Sequence, residues 1–277
     1  MNSQLRAECE NCFGLCCVAL PYAKSADFAF DKDGGTPCRN LQTDYRCGIH
    51  KNLRGKGFKG CTVYECFGAG QKVSQITYGG EDWRDSPERA KEMFEVFPIM
   101  QQLHEMLNYL YEALQLKETT PIYNELKASI QEIEHLTQLP ATEIKHIRVS
   151  DHRVMVNKLL LQVSELVRTH FLKKKYDVLN RKSMDMIGAK LRKTDLRGAN
   201  LRGVLLIAAD LQGADMRWTD LIGADLRDAN LSGADLTGSI FLTQAQVNSA
   251  KGNLHTKLPN SLLKPDHWLK VSIKNGL

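Results

Sequence analysis

The chain has 277 residues, of which 43% are apolar and 25% charged; these are ordinary globular proportions that exclude wholesale disorder and leave room for two or three domains. No run approaches the roughly 18 apolar residues of a membrane helix, and the opening MNSQLRAE lacks a signal peptide's apolar stretch, so the expectation is a soluble, cytoplasmic protein with no membrane partner. The net charge of +5 is spread along the chain without a dense basic block, which removes the dedicated nucleic-acid binders.

Residues 1–80 come first and hold every cysteine: Cys9, Cys12, Cys16, Cys17, Cys38, Cys47, Cys61 and Cys66. Between them, DKDGGTPC and RGKGFKGC read as turns. Such a block buries little apolar area, so something other than a core is expected to hold it together. Clustered cysteines in a cytosolic chain are metal ligands more often than disulfides, and soft sulfur donors select zinc or iron–sulfur clusters. Eight thiols suit two four-sulfur sites, or one site with thiols left over. His50 stands at C-x2-H spacing from Cys47 and is a further ligand candidate, against the plainer reading of a loop histidine. Gly55 to Gly60 matches GxGxxG, but neither an apolar strand before it nor a helix after it supports a dinucleotide site.

Residues 81–183 are predicted to be helical. Ser86-Pro87 is an N-cap followed by proline at the first helical position. The apolar series Met93, Phe94, Phe97, Met100, Leu103, Leu107, Leu110, Leu114 follows, with Pro98 expected to kink or break it. Thr120-Pro121 starts a second helix with Ile122, Leu126, Ile130 and Ile133 on one face. A third begins near Ser150, with Leu159, Val163 and Leu166 inward and Lys173–Lys175 at its C-terminus.

From Met184 to Thr243 the sequence repeats every five residues, with the third residue of each unit large and apolar (Leu196, Leu201, Leu206, Leu211 and so on). Small residues such as Ala199, Ala209 and Ala214 stand two places earlier, and seven of the twelve units end in glycine. Period five fits neither a helix nor a flat strand, so the chain must turn a corner once per unit, with glycine at the corner. These units resemble the pentapeptide-repeat family, A(D/N)LXX. That resemblance implies a right-handed quadrilateral β-helix of about three coils, roughly 14 Å long at the spacing of paired strands. Its ends need covers, for which the preceding helical block and the C-terminal residues 244–277 are the candidates.

The cysteine order resembles the zinc- or iron-chelating family named for its CxxCxxCC motif, with Cys38-Arg39-Asn40-Leu41 and Cys47-Gly48-Ile49-His50 matching its later segments. Three residues separate Cys12 from Cys16 where that motif has two, which leaves open which of Cys16 and Cys17 ligates. Nearly the whole chain, notably CFGLCCVALPYAKSADFAFDKD and CFGAGQKVSQ, resembles bacterial pentapeptide-repeat proteins known as oxetanocin A resistance proteins. The resemblance implies a resistance or self-protection role and supplies no mechanism.

The resulting expectation is a multidomain chain: an irregular cysteine-rich metal-binding module (1–80), an α-helical domain (81–183), the β-helix (184–243) and a C-terminal cap (244–277). Its function is expected to be that of a non-enzymatic metal-binding interaction protein with a protein partner, a homodimer being an alternative. The metal ligands are the eight cysteines, holding zinc or an iron–sulfur cluster. On the repeat, Asp195, Arg197, Asp215, Arg217, Trp218 and Asp235 are expected to face the partner. The outward apolar residues Ile187, Leu205, Ile207, Ile222, Ile240 and Leu242 are expected to be covered by the helices or the tail. One alternative is an iron–sulfur or thiol-dependent redox or modifying enzyme, although no GxSxG, HExxH or GK[ST] sequence is present. The other is a DNA-mimic protector of a topoisomerase, which fits poorly with seven basic against eight acidic residues over the repeat.

Overall fold

The computed structural model describes residues 3–172 and 185–269; Lys173–Lys175, Met184 and residues 270–277 lie outside the described residues. The chain divides into two compact units, Met1–Leu160 and Leu161–Leu277. Among the described residues no helix is long and apolar enough to cross a membrane.

In the first unit the cysteine-rich segment is a series of short turns and helices, among them Leu15–Val18, Lys59–Thr62 and Ala69–Gln71, with isolated antiparallel bridges Tyr22↔Lys32 and Leu41↔Cys47. It does not lack a core. Leu15, Val18, Ala69 and Val73 are fully buried against Met93, Val96, Phe97 and Met100 of the long helix Pro87–Leu114. The apolar residues of this segment are few and irregularly spaced, which hides them from a periodicity argument, yet each finds the helix face. His104, on the same helix, donates from Nδ1 to the Phe67 carbonyl at 2.7 Å.

Ser86 caps the long helix as its sequence predicts, its hydroxyl accepting the Arg89 N–H at 3.3 Å. Pro98 does not break it: the helix runs through, with Val96, Phe97 and Met100 all buried. Burial on both sides outweighs the lost hydrogen bond. The second helix starts later than expected, at Tyr123, because Lys117–Ile122 forms a 3₁₀ turn whose Thr119 hydroxyl donates back to the Ala113 carbonyl at 2.8 Å. Leu126, Ile130 and Ile133 are its buried face, as expected, whereas Ile122 ends the preceding turn and is half-buried. The helix Val149–Leu172 buries Val156, Leu160, Val163 and Val167, whereas Leu159 and Leu166 are half-buried.

The repeat follows the five-residue register, and the third residues from Leu196 to Phe241 are all buried, as are Ala199, Ala209, Ala214, Ala224, Ala229 and Ala234. The expected quadrilateral β-helix is not found, however. Among the described residues there is no β-strand and no sheet; residues 185–240 are successive turns joined by isolated parallel bridges such as Asp195↔Asp215, Asp215↔Asp235 and Asn200↔Asp220. A corner in every unit leaves one residue in five for pairing, too few for two consecutive bridges. Turns twenty residues apart stack through backbone bonds such as Leu191 N–H to the Asp210 carbonyl and Asp210 N–H to the Ala189 carbonyl, both 2.8 Å.

Each corner falls on the last residue of its unit. From Gly188 to Gly238 all these residues have positive φ, including the non-glycines Lys193, Ala208, Trp218 and Asp228. The Asp or Asn that opens the turn serves it directly, its Oδ1 accepting the backbone N–H two residues on, as Asp195 does from Arg197, Asn200 from Arg202, Asp220 from Ile222 and Asp235 from Thr237. Beyond Phe241 the helix Gln244–Ser249 interrupts the repeat, after which Lys251 and Lys257 extend two of the columns by bridging Asn230 and Asp235. Trp268 is buried there, donating from Nε1 to the Ala250 carbonyl.

Candidate functional site

The eight cysteines come from separate segments of the first unit and all are free thiols. Two groups of them lie close together, and the Cys16–Cys17 side-chain hydrogen bond joins the two. In the first, Cys12 and Cys66 flank Gly70: a Cβ there would stand 2.7 Å from Cys12 Sγ and 4.0 Å from Cys66 Sγ. Gly70 is therefore required bare by the Cys12 sulfur beside it, with Cys66 at ordinary contact distance. Burial pushes the Cys66 thiol up to about 11, with Glu65 and Cys12 adding to the rise. Burial also raises Cys12, against hydrogen bonds from the Leu15 and Gly14 backbone and from Ser74, with Cys9 adding to the rise. Cys16 is raised first by the hydrogen bond it gives to Cys17, then by burial, and further by the charges of Cys17, Cys12 and Cys66.

The second neighbourhood holds Cys17, Cys38, Cys47 and Cys61. Cys38 N–H donates to the Cys17 carbonyl at 2.9 Å, and the Leu41↔Cys47 bridge brings Cys47 to the same turn. Tyr22 donates its hydroxyl to Cys38 Sγ at 3.2 Å, and the Asn40 N–H approaches the same sulfur at 3.5 Å. Cys61 is pushed up to about 12 by desolvation and then by Cys17, Cys38 and Cys47. Cys17 alone is lowered, by the Cys16 hydrogen bond and the Lys32 ammonium, against its own burial. The donor set suits a thiophilic metal. Among the described residues, however, no three His, Cys, Asp or Glu side chains are grouped so as to hold a metal ion. His50 is exposed on the turn His50–Asn52.

Lys32 is a group that sequence reasoning missed. It is 6% exposed, and its ammonium donates to the carbonyls of Val18 (3.1 Å), Asp33 (3.0 Å) and Thr36 (2.9 Å). In the sequence it looks like one more charge in the turn DKDGG, and no local signal separates it from its neighbours.

On the repeat, Asp195, Asp215 and Asp235 form the expected column, but they are not an uncompensated acidic ladder. Arg197 forks onto Asp195 (2.9 and 2.7 Å), Arg217 onto Asp215 (2.8 and 2.6 Å), and Lys257 reaches Asp235 at 3.1 Å. Arg217 lies over the Trp218 ring at 5.3 Å, and Trp218 packs where Gly238 has no side chain. The face is an array of pre-ordered, internally neutralised ion pairs, able to offer oriented hydrogen bonds but little net charge.

The expected cover over the outward apolar residues holds in part. Ile240 and Leu242 are buried and Ile207 and Ile222 half-buried, whereas Ile187 and Leu205 are exposed. On the same side of the coil as Ile240, Asp220 is fully buried and pairs with Arg202 at 2.9 Å. Arg168 is beside it, bonded to the Ser164 hydroxyl at 3.1 Å and to the Gly198 carbonyl at 3.2 Å. This buried group lies outside the expected partner face; Asp220 reads in the sequence like every other aspartate of the motif.

Residues 185–221 and 219–241 match the family model described as pentapeptide repeats, in 8 copies. The whole chain is similar to the uncharacterized protein YybG of Bacillus subtilis (strain 168), with 65% identity over 268 residues that cover 97% of this chain and 96% of that protein.

Proposed function

The chain belongs to the family of YybG and carries pentapeptide repeats, and from that premise we propose that it is a non-enzymatic, metal-binding interaction protein. The observation that carries this reading is the gathering of all eight cysteines in one part of one unit as free thiols, several of them with raised pKa values and thiol neighbours. Thiols that repel one another's charge are the setting a zinc ion or an iron–sulfur cluster relieves. The metal orders the cysteine-rich segment against the helix Pro87–Leu114, while the repeat offers its Asp–Arg face to a protein partner.

Elemental analysis and a visible spectrum of anaerobically purified protein test the reading. Bound zinc, or iron with a cluster's absorption, is the expected result, and metal-free folded protein overturns it. Removing the metal with a strong chelator is expected to open residues 3–80 to protease while the repeat stays resistant, since metal ligation supplies ~10 kcal/mol or more to small modules. Unchanged cleavage on chelation would show that the metal does not order this segment.

The paired carboxylates of the repeat favour a protein partner over DNA mimicry, which needs uncompensated negative charge. The resemblance to oxetanocin A resistance proteins makes tolerance of that compound the first phenotype to measure. Expression in a sensitive bacterium is expected to raise the inhibitory concentration, and an unchanged value removes the self-protection role.

A further inference from the structure

We propose that the first unit binds a small zwitterion, a free α-amino acid, in the cavity over His104, with Lys72 taking the carboxylate and His104 and Glu134 the ammonium group. The site uses neither the cysteines nor the repeat face, and it goes beyond the function proposed above.

The cavity, of about 420 Å³, is the size of an ordinary small-molecule site. Its floor is the long helix Pro87–Leu114, through His104 and Leu107. Two of its walls are tied together by side-chain amides. Gln71 donates to the Arg6 carbonyl at 2.6 Å and accepts the Glu8 N–H at 3.2 Å, and Gln75 donates to the Asn11 carbonyl at 3.0 Å. The end of the helix Tyr123–Leu136 supplies another wall, with Glu134 and the capping Thr137. Lys72 opens a π-helical turn, Lys72–Thr77, a rare form found frequently at functional sites.

His104 is 4% exposed, and its Nδ1 bonds the Phe67 carbonyl at 2.7 Å. A carbonyl only accepts, so the neutral ring carries its proton on Nδ1 and leaves a lone pair at Nε2. Nε2 has no hydrogen-bond partner among the described residues. The one sealed-in side-chain polar atom without a partner among those residues is Ser239 Oγ, so Nε2 is open to the cavity that its ring lines. Solvent can serve this acceptor, and a charged N–H donor serves it more strongly.

The charges select the ligand. Lys72 is half-buried, and its ammonium makes no hydrogen bond or ion pair among the described residues. Desolvation lowers its pKa, and its charge reaches His104. Glu134, with Oε1 held by the Tyr111 hydroxyl, and the exposed Glu8 line the same cavity. A simple anion is opposed by the two carboxylates and a simple cation by Lys72. A zwitterion answers both signs at once. Leu107 and Ile76 give its side chain an apolar surface.

The test titrates the full chain calorimetrically with the common L-amino acids, one at a time. At least one is expected to bind, and its amide and its N-acetyl form should each bind at least ~tenfold more weakly, as loss of a charge-assisted contact requires. Saturation should move the His104 Nε2 resonance in nitrogen NMR spectra. Because replacing the buried His104 can unfold the helix, Lys72→Met and Glu134→Gln carry the mutational test. Lys72→Met should abolish the preference for the amino acid over its amide, and Glu134→Gln should reduce the preference over the N-acetyl form. Damage to the fold would weaken all three ligands alike. Lys127→Met, exposed on the helix Tyr123–Leu136 and outside the cavity, should bind as wild type does. Failure of every amino acid to bind, equal binding of amino acid and amide by wild type, an unmoved Nε2 resonance, or a Lys72→Met variant that keeps the preference overturns the proposal.

Discussion

Glycines at two equivalent corners of the repeat should respond unequally to the same substitution. Gly233 and Gly238 both have φ of 70°. An alanine in that conformation costs ~1–2 kcal/mol, offset by ~0.5–1 kcal/mol because the unfolded chain loses freedom. A Cβ on Gly233 meets nothing within 4 Å, so Gly233→Ala should lose about 1 kcal/mol and no more. A Cβ on Gly238 would come within 2.9 Å of both Cδ1 and Nε1 of Trp218. The indole must move, and overpacking of this kind adds ~1–3 kcal/mol, for a total of about 2–4 kcal/mol. Urea unfolding followed by tryptophan fluorescence reads both variants. In a Trp218→Ala background the excess loss at Gly238 should vanish, leaving the two alanines equal, as a double-mutant cycle requires. Equal losses in the wild-type background, or an excess that survives removal of Trp218, would refute the reasoning.

Other substitutions follow the same logic. Asp220→Asn keeps the turn but leaves Arg202 and Arg168 facing a neutral group in a buried site, and is expected to cost about 3 kcal/mol, whereas Asp225→Asn, at a more exposed pair with Arg227, should cost under ~1 kcal/mol; thermal melts that fail to separate them would show the Asp220 pair to be dispensable. Ala208→Gly, at an exposed corner with φ of 56°, should leave stability unchanged or raise it by up to ~1 kcal/mol, and a clear loss in the same melts would contradict the strain assigned there. Burial lowers the His104 pKa to about 4 from an ordinary 6.5, with Lys72 adding to the fall and the Phe67 carbonyl opposing it. The unfolded chain then binds a proton that the folded chain refuses between those values, so this stability is complete above pH 6.5 and falls as pH drops toward 4, by about 3 kcal/mol. Urea midpoints measured across that window should flatten in His104→Gln, and an unchanged slope rules out His104 as the source.

The parts of this molecule legible in its sequence are those where one residue type does one repeated job. The register of the repeat is such a case: each inward leucine and alanine is chosen by burial alone, so Leu211 and Ala214 could be placed without coordinates. What the period could not disclose was pairing. A strand needs consecutive residues in register, and a corner in every unit forbids them, so the expected β-helix gives way to turns joined by single bridges. Pro98 misled for the opposite reason: its local cost is real, but the burial of Val96, Phe97 and Met100 outweighs it. Lys32, Gly70 and Asp220 were illegible because each depends on a partner 14 to 58 residues away, at Val18, Cys12 and Arg202. A composition or a spacing carries no trace of such meetings.

The stacking of turns every twenty residues also constrains how such a chain can change in length over its history. Duplicating or deleting a full twenty returns every later residue to its own column, and most new turns arrive with their own Asp or Asn to close them, Lys190, Leu205 and Ile240 being the exceptions in the present repeat. A frame change of five does not. It still brings an aspartate into the place of Asp220, since Asp215 and Asp225 flank it in the repeat, but it carries Arg217 or Arg227 into the half-buried place of Ile222. Three guanidiniums would then crowd one carboxylate beside Arg168 and Arg202. Growth by whole coils is therefore open to this lineage, while growth by single motifs is closed by one buried aspartate.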